Sequence, residues 1–151
     1  MTPWLTDVEM AAWKPFVEAA TSLLAAVDAD LMASHGLTHL DYGILVDLSE
    51  APEQRRRMTD LAARFGVDPS VITYRVTRLE ERDIVERIPS PTDGRVIHAH
   101  LTSAGAELLR AAAPSHLRTA RREFVDHLTD SDLRALARAL RKIRAHQTAT
   151  E

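Results

Sequence analysis

Ser70, Thr73, Tyr74 and Thr77 follow one another at i, i+3, i+4 and i+7, with Arg75 and Arg78 beside them. On a helix that spacing makes one polar stripe. Hydroxyls of this kind bond phosphate oxygens or base edges, and a forked guanidinium can grip O6 and N7 of guanine. Ser70 falls in the first helical turn, where backbone N–H groups and the helix dipole also favour a phosphate. Further along, Asp93-Gly94-Arg95 closes the turn-rich segment PSPTDGR. An arginine on such a tip can enter a narrow minor groove, where negative potential is focused. Asp93, two residues earlier, can hold the guanidinium or shape the turn. The bland readings are a solvated helix face and an exposed ion pair worth little.

Other chemistries find less support. Of the seven histidines, His35 and His39 straddle a helix break, and His98 and His100 share a strand face. Without cysteine or a compact ligand set such as HExxH, no metal site is expected and no cofactor is implied. There is no G-x-S-x-G, no P-loop, no Rossmann glycine pattern and no cysteine nucleophile, so the chain does not read as an enzyme. Glu80 and Glu81 are adjacent on a helix and point apart.

The elements that must position the stripe are legible from periodicity. Val8, Ala12, Phe16, Ala19, Leu23, Val27 and Leu31 alternate steps of three and four, predicting a helix over 7–34 that Pro15 kinks or breaks and Gly36 ends. Thr38 reads as an N-cap with Asp41 three residues on, opening a helix buried through Leu40, Ile44, Leu45 and Leu48. EAPEQ is a loop, since Pro52 excludes regular helix. Arg55-Arg56-Arg57 follows, as phosphate contacts or with Arg56 in a third strand. Thr59 is expected to cap a short helix over 60–65, with Gly66 left-handed behind it. Asp68 caps the next helix, with Pro69 in its first turn. That helix runs to about Arg82 and buries Val71, Ile72, Val76 and Leu79. Gly66-Val67-Asp68 is thus the turn of a helix-turn-helix. Ile84–Ile88 and Val96–Leu101 alternate as strands do and flank PSPTDGR, the pattern of a wing. Thr102 can cap a helix over 103–127, bent by Pro114, and a last helix opens at Thr129 or Ser131 and shows Leu133, Leu136, Leu140 and Ile143. The tail HQTATE is expected to fray.

Composition fits an ordinary globular chain. The 151 residues are 45% hydrophobic and 27% charged, and nearly all the basic groups are arginine. Lacking cysteine, the chain has no disulfide and no thiol switch. MTPWLTDVEM lacks the features of a signal peptide, and no apolar run approaches the ~20 residues of a membrane span, so a cytoplasmic protein is expected. The net charge of −3 alone speaks mildly against nucleic acid. It averages −7 over residues 1–50 with +1 over 51–100 and +3 over 101–151. A local basic face matters more to DNA than the total.

Three motifs in register resemble the MarR (multiple antibiotic resistance regulator) family of winged-helix transcription factors. They are Leu61-Ala62-Ala63-Arg64-Phe65-Gly66-Val67, then Pro69-Ser70-Val71-Ile72-Thr73 through Val76 with Arg78-Leu79-Glu80, and Asp93-Gly94-Arg95 followed by Leu101-Thr102. The likeness extends over about residues 10–145. The chain departs from it where relatives usually carry Arg and this one has Tyr74, where they carry an apolar residue and it has Arg75, and where they often carry Gly and it has Asp83. The reading cation is displaced by one position.

The resemblance implies a mainly α fold with a small β-hairpin wing. A winged helix-turn-helix over 38–102 is flanked by dimerisation helices at 1–37 and 103–151, intertwined with those of a second copy. It implies a homodimer on a palindromic operator, most simply a repressor. Thr59, Ser70, Thr73, Tyr74, Arg75, Thr77, Arg78, Asp93 and Arg95 are the expected DNA-binding residues. It also implies release by a small aromatic or phenolic ligand; read from the residues, the aromatic surface of the N-terminal half offers Trp13, Phe16, His39 and Tyr42 as a pocket, with plain core and interface packing as the competing role. The competing function is a helical protein-interaction module that uses the same scaffold and binds no DNA.

Overall fold

Apolar residues at helical spacing and short capping side chains divide the chain into elements close to those expected. The computed structural model describes residues 4–149. Among them are helices α1 (Asp7–His35), α2 (His39–Glu50), α3 (Met58–Phe65), α4 (Pro69–Glu80), α5 (Ser103–Glu123) and α6 (Asp130–Ala149). The strands are β1 (Arg55–Arg57), β2 (Val85–Pro89) and β3 (Ile97–Leu101). They form one antiparallel sheet in the order β1-β3-β2, with Arg56 opposite Ala99 and Arg87 opposite the same Ala99 from the other side. The mainly helical fold with a small winged sheet is therefore as the sequence predicts, and Arg56 does lie in a third strand.

The caps explain the helix ends. Thr38 Oγ1 accepts the Asp41 N–H at 3.1 Å while the Asp41 carboxylate accepts the Thr38 N–H at 2.8 Å, a complete capping box on α2. Asp68 accepts the Ser70 N–H at 2.8 Å, with Pro69 in the first turn of α4. Gly66 ends α3 at φ 62, a left-handed conformation that favours glycine. Thr102 Oγ1 accepts the Gly105 N–H at 3.0 Å and donates to the Asp83 carbonyl at 2.7 Å, tying the start of α5 to the start of β2. Thr129 and Asp132 make the reciprocal pair that opens α6.

Several expectations are corrected. Thr59 is not a cap: the chain passes from β1 directly into α3, Arg57 occupies the N-cap, and Thr59 sits one residue inside. Neither Pro15 nor Pro114 breaks its helix. Each frees the carbonyl four residues earlier, at Ala11 and Arg110, both of which are exposed residues. Pro52 opens a short 3-10 turn over Pro52–Gln54, in which Glu53 and Gln54 take φ of 53 and 52. α4 stops at Glu80, and Asp83, at φ 58, carries the left-handed turn that follows. Val71 is 37% exposed and does not join the buried side of α4. α5 ends at Glu123, ahead of a 3-10 turn over Val125–His127. The tail is helical to Ala149; Thr150 and Glu151 of HQTATE lie outside the described residues.

The chain divides into two units. The unit spanning Val27–His116 holds the sheet and α2 to α4. Its core is Leu31, Leu37, Ile44, Leu45, Leu48, Leu61, Ile72, Val76, Leu79, Val85 and Leu101, each at or below 1% exposure. Each large aliphatic side chain so buried stabilises the unit by roughly 1.5–3 kcal/mol. Gly105 is required for close approach: a Cβ there would lie 2.2 Å from the Ile84 carbonyl oxygen and 2.7 Å from a Leu101 methyl. Arg82 donates to the carbonyls of Gly36 and His35 at 2.7 and 3.0 Å, satisfying groups that the end of α1 leaves open.

The other unit comprises 4–26 and 117–149 of the described residues. It carries large apolar side chains in solvent: Trp4 at 93%, Val8 at 82%, Leu117 at 60%, Trp13 at 56% and Ile143 at 49% exposure.

Candidate nucleic-acid interface

Thr73, Thr77 and Glu80 fall at i, i+4 and i+7, so they share one face of α4. Arg87, in the middle of β2, lies along that face. Its backbone N–H donates to Glu80 at 3.1 Å, and its Nη1 pairs with the other oxygen of the same carboxylate. Its Nη2 donates to the Thr73 carbonyl at 3.0 Å and to Thr77 Oγ1 at 2.7 Å. Thr77 in turn donates its hydroxyl hydrogen to the Thr73 carbonyl at 2.8 Å. Both hydrogen-bonding directions of the Thr77 hydroxyl are therefore used within the protein.

The other edge of the predicted stripe stays outward. Ser70 and Thr73 have exposed side chains, and Tyr74 is 58% exposed. The Ser70 hydroxyl donates to Asp68 at 2.5 Å, so the first turn of α4 already holds a carboxylate. Arg78 is exposed and pairs with Glu81 at 2.7 Å. Arg75 turns the other way. Its Nη1 lies 3.8 Å from Asp41 Oδ2, and its guanidinium carbon sits 5.4 Å from the centre of the Tyr74 ring. The displaced cation is thus directed to α2 and to its aromatic neighbour.

Asp93 shapes the wing turn: its carboxylate accepts the Arg95 N–H at 3.0 Å, and its carbonyl accepts the Val96 N–H at 2.9 Å. This leaves the exposed Arg95 side chain beside a cleft of about 390 Å³. Arg57, Met58, Thr59, Thr73, Arg87, Arg95, Val96 and Ile97 line it. The structure brings Thr59, Thr73 and Arg95 to one place, although they come from α3, α4 and the wing. In the arginine triplet, Arg55 pairs with Glu53 at 2.5 Å, Arg56 turns inward to Asp47, and Arg57 reaches the cleft.

Arg87 lines this cleft although nothing in the sequence singles it out, and Arg57 lines it after entering only as one of three arginines. Arg87 bonds residues 7, 10 and 14 positions away on another element, which leaves no local spacing to read. Arg57 had a weak signal in the triplet, without an indication of which member faces outward.

Of the residues expected to line a ligand pocket, His39 and Tyr42 lie on α2, and the Tyr42 ring centre is 4.3 Å from that of His116 on α5. Burial raises the Tyr42 phenol above its ordinary value. Burial, and then the neighbouring His39, make the His116 imidazole harder to protonate, while Asp30 acts in the opposite direction. Asp30 Oδ2, His39 Nδ1 and His116 Nδ1 are buried with no hydrogen-bond partner among the described residues. Trp13 and Phe16, in the other unit, pair their rings at 6.4 Å. Among the described residues no cluster of three or more His, Cys, Asp or Glu could hold a metal ion, and no helix is long and apolar enough to cross a membrane.

The arrangement has close counterparts. Residues 35–96 match the family model of the MarR family. Sco3205, a MarR family transcriptional regulator from Streptomyces coelicolor solved in complex with DNA, is 37% identical, with a TM-score of 0.89 over 95% of this chain and 90% of that one. AbsC, a MarR family transcriptional regulator from the same organism, is 40% identical, with a TM-score of 0.88 over 96% of this chain and 97% of that one. The HTH-type transcriptional regulator MhqR of Bacillus subtilis (strain 168) is 32% identical over 82 residues. That match covers 54% of this chain and 55% of MhqR, so it spans about half the length of that relative.

Proposed function

The chain belongs to the MarR family of transcriptional regulators, and on that premise we propose that it represses transcription as a homodimer seated on a palindromic operator. Each subunit lays α4 in a major groove and sends Arg95 into the neighbouring minor groove. Ser70, Thr73, Tyr74 and Arg78 face the bases and phosphates, Thr59 adds a backbone contact, Asp93 holds the wing turn, and Arg75 and Thr77 set the helix. The observation that supports this most is the convergence of Thr59, Thr73 and Arg95 on one cleft between helix and wing. Relatives with this fold are transcriptional regulators, and Sco3205 was solved in complex with DNA.

The dimer rests on residues 1–37 and 103–151, which flank the reading region 38–102. Trp4, Val8, Trp13, Leu117 and Ile143 expose apolar surface of the kind a second copy covers. Occupying a promoter in the cytoplasm is sufficient for repression. A small aromatic or phenolic ligand would release the dimer by favouring a DNA-incompetent state. His39 and Tyr42 are its proposed contacts. The unpartnered polar atoms of Asp30, His39 and His116 support a polar ligand there.

Selection of random duplexes by the purified protein tests the reading. Enrichment of a palindrome with half-sites about 10–10.5 bp apart, bound by a dimer in sedimentation, is the expected result. An unselected pool would leave only the protein-interaction function.

A further inference from the structure

We propose that Arg87 is a positioning residue for DNA reading, one that locks α4 to the first strand of the wing so that helix and wing address the duplex as one body. The inference rests on the DNA-reading role of α4 and deepens it.

The geometry is that of a clamp. One guanidinium and one backbone N–H engage three acceptor residues across two turns of α4: Glu80, Thr77 and Thr73. The planar fork suits this task. Two nitrogens at fixed separation meet acceptors lying in a row, which a single ammonium cannot do. The base of the clamp is equally fixed, because Arg87 stands opposite Ala99, a fully buried residue of the central strand. Rotation of α4 about its own axis would break the bonds to Thr73 and Thr77, and sliding along the axis would break those to Glu80. The outward edge of α4, with Ser70 and Tyr74, is set by the same restraint.

Arg87 also lines the cleft beside Arg57 and Arg95, so a direct phosphate contact is the rival role. The two make opposite predictions for Glu80. An acid beside the duplex repels phosphate, so removing it should tighten binding if electrostatics alone matter. If Glu80 anchors the clamp, removing it should loosen specific binding.

The test uses the full-length protein and the duplex it selects from a random pool, with a scrambled duplex as reference. Arg87→Met, Arg87→Lys, Glu80→Ala and the milder Thr77→Val are titrated over a range of salt, and urea unfolding reports their fold. Arg87→Met and Glu80→Ala should each weaken the selected duplex about tenfold, the scale of one lost base-pair readout, and leave the scrambled duplex nearly unchanged. Arg87→Lys should not rescue, Thr77→Val should fall between, and the salt slope should stay at the wild-type value. Tighter binding by Glu80→Ala, rescue by lysine, or a slope reduced by about 0.9 would make Arg87 a phosphate contact and overturn the proposal. Unchanged specificity in folded variants would overturn it as well. If the wild-type protein selects no duplex, the function proposed above falls together with this inference, whereas the other outcomes leave that function standing.

Discussion

Arg56 Nε on β1 lies 2.5 Å from Asp47 Oδ2 on α2, and the Asp47 side chain is only 2% exposed. Arg64 on α3 pairs with the other oxygen of that carboxylate. One buried anion therefore joins the sheet, α2 and α3. Replacing Asp47 by Ala should destabilise the protein by about 2–3 kcal/mol, less than for a fully buried pair because both cations retain solvent. Urea unfolding at fixed protomer concentration measures it, and a loss under ~0.5 kcal/mol would show that the carboxylate joins nothing.

Arg95→Ala should weaken binding to the selected duplex by about 1–3 kcal/mol and leave unfolding unchanged. The residue is exposed, and its turn is held by Asp93 through the backbone N–H, which alanine retains. Unaltered affinity on titration would remove Arg95 from the interface.

Acid should unfold this protein partly through its helix starts. The Ser70 hydroxyl and N–H hold Asp68 below the usual carboxylate range, the Thr129 hydroxyl and N–H do the same for Asp132, and the Thr6 N–H and hydroxyl for Glu9. The unfolded chain takes up these protons first as pH falls. The stability is therefore present above about pH 4 and is lost as pH drops through the depressed native values. Asp68→Asn should keep the cap and remove that residue's share of the loss. Unfolding midpoints that stay constant between about pH 4 and pH 2 would contradict the assignment.

His116 should titrate below its ordinary value of 6.5, because burial, and then His39, disfavour the imidazolium more than Asp30 favours it. The unfolded state then binds the extra proton first, so stability is full above about pH 6.5 and declines as pH falls toward the lower native value. A proton NMR titration of the imidazole reads the shift. His116→Gln should flatten the stability profile over the same window, and a midpoint above 6.5 would reverse the expectation.

What the sequence disclosed follows the range of the forces involved. Caps such as Thr38-Asp41 and Asp68 ahead of Pro69 act over two or three residues and were legible directly, whereas the choice of Thr129 over Ser131 was not. The stripe on α4 was legible for the same reason. Its division into an inward edge at Thr77 and an outward edge at Tyr74 was not, because Arg87 arrives from another element. Thr59 had the right residue type for a cap, but the preceding strand hands the chain to α3 two residues sooner. A break at Pro15 is not found, since α1 and α5 each continue through their proline. Asp47 lay unremarked between two apolar residues until the fold brought Arg56 and Arg64 to it.

Gly105 bears on how this gene can vary. The clash with the Ile84 carbonyl begins at Cβ, which every other amino acid shares, so alanine there should fare no better than tryptophan. Gly66 meets nothing within 4 Å and is constrained only by its left-handed backbone, so asparagine and aspartate should survive best there. In a saturation library sorted for DNA binding, the two glycines should leave different signatures: uniform depletion at 105, a graded series at 66. The first turn of α5 would then be a point where drift is barred to all nineteen alternatives alike.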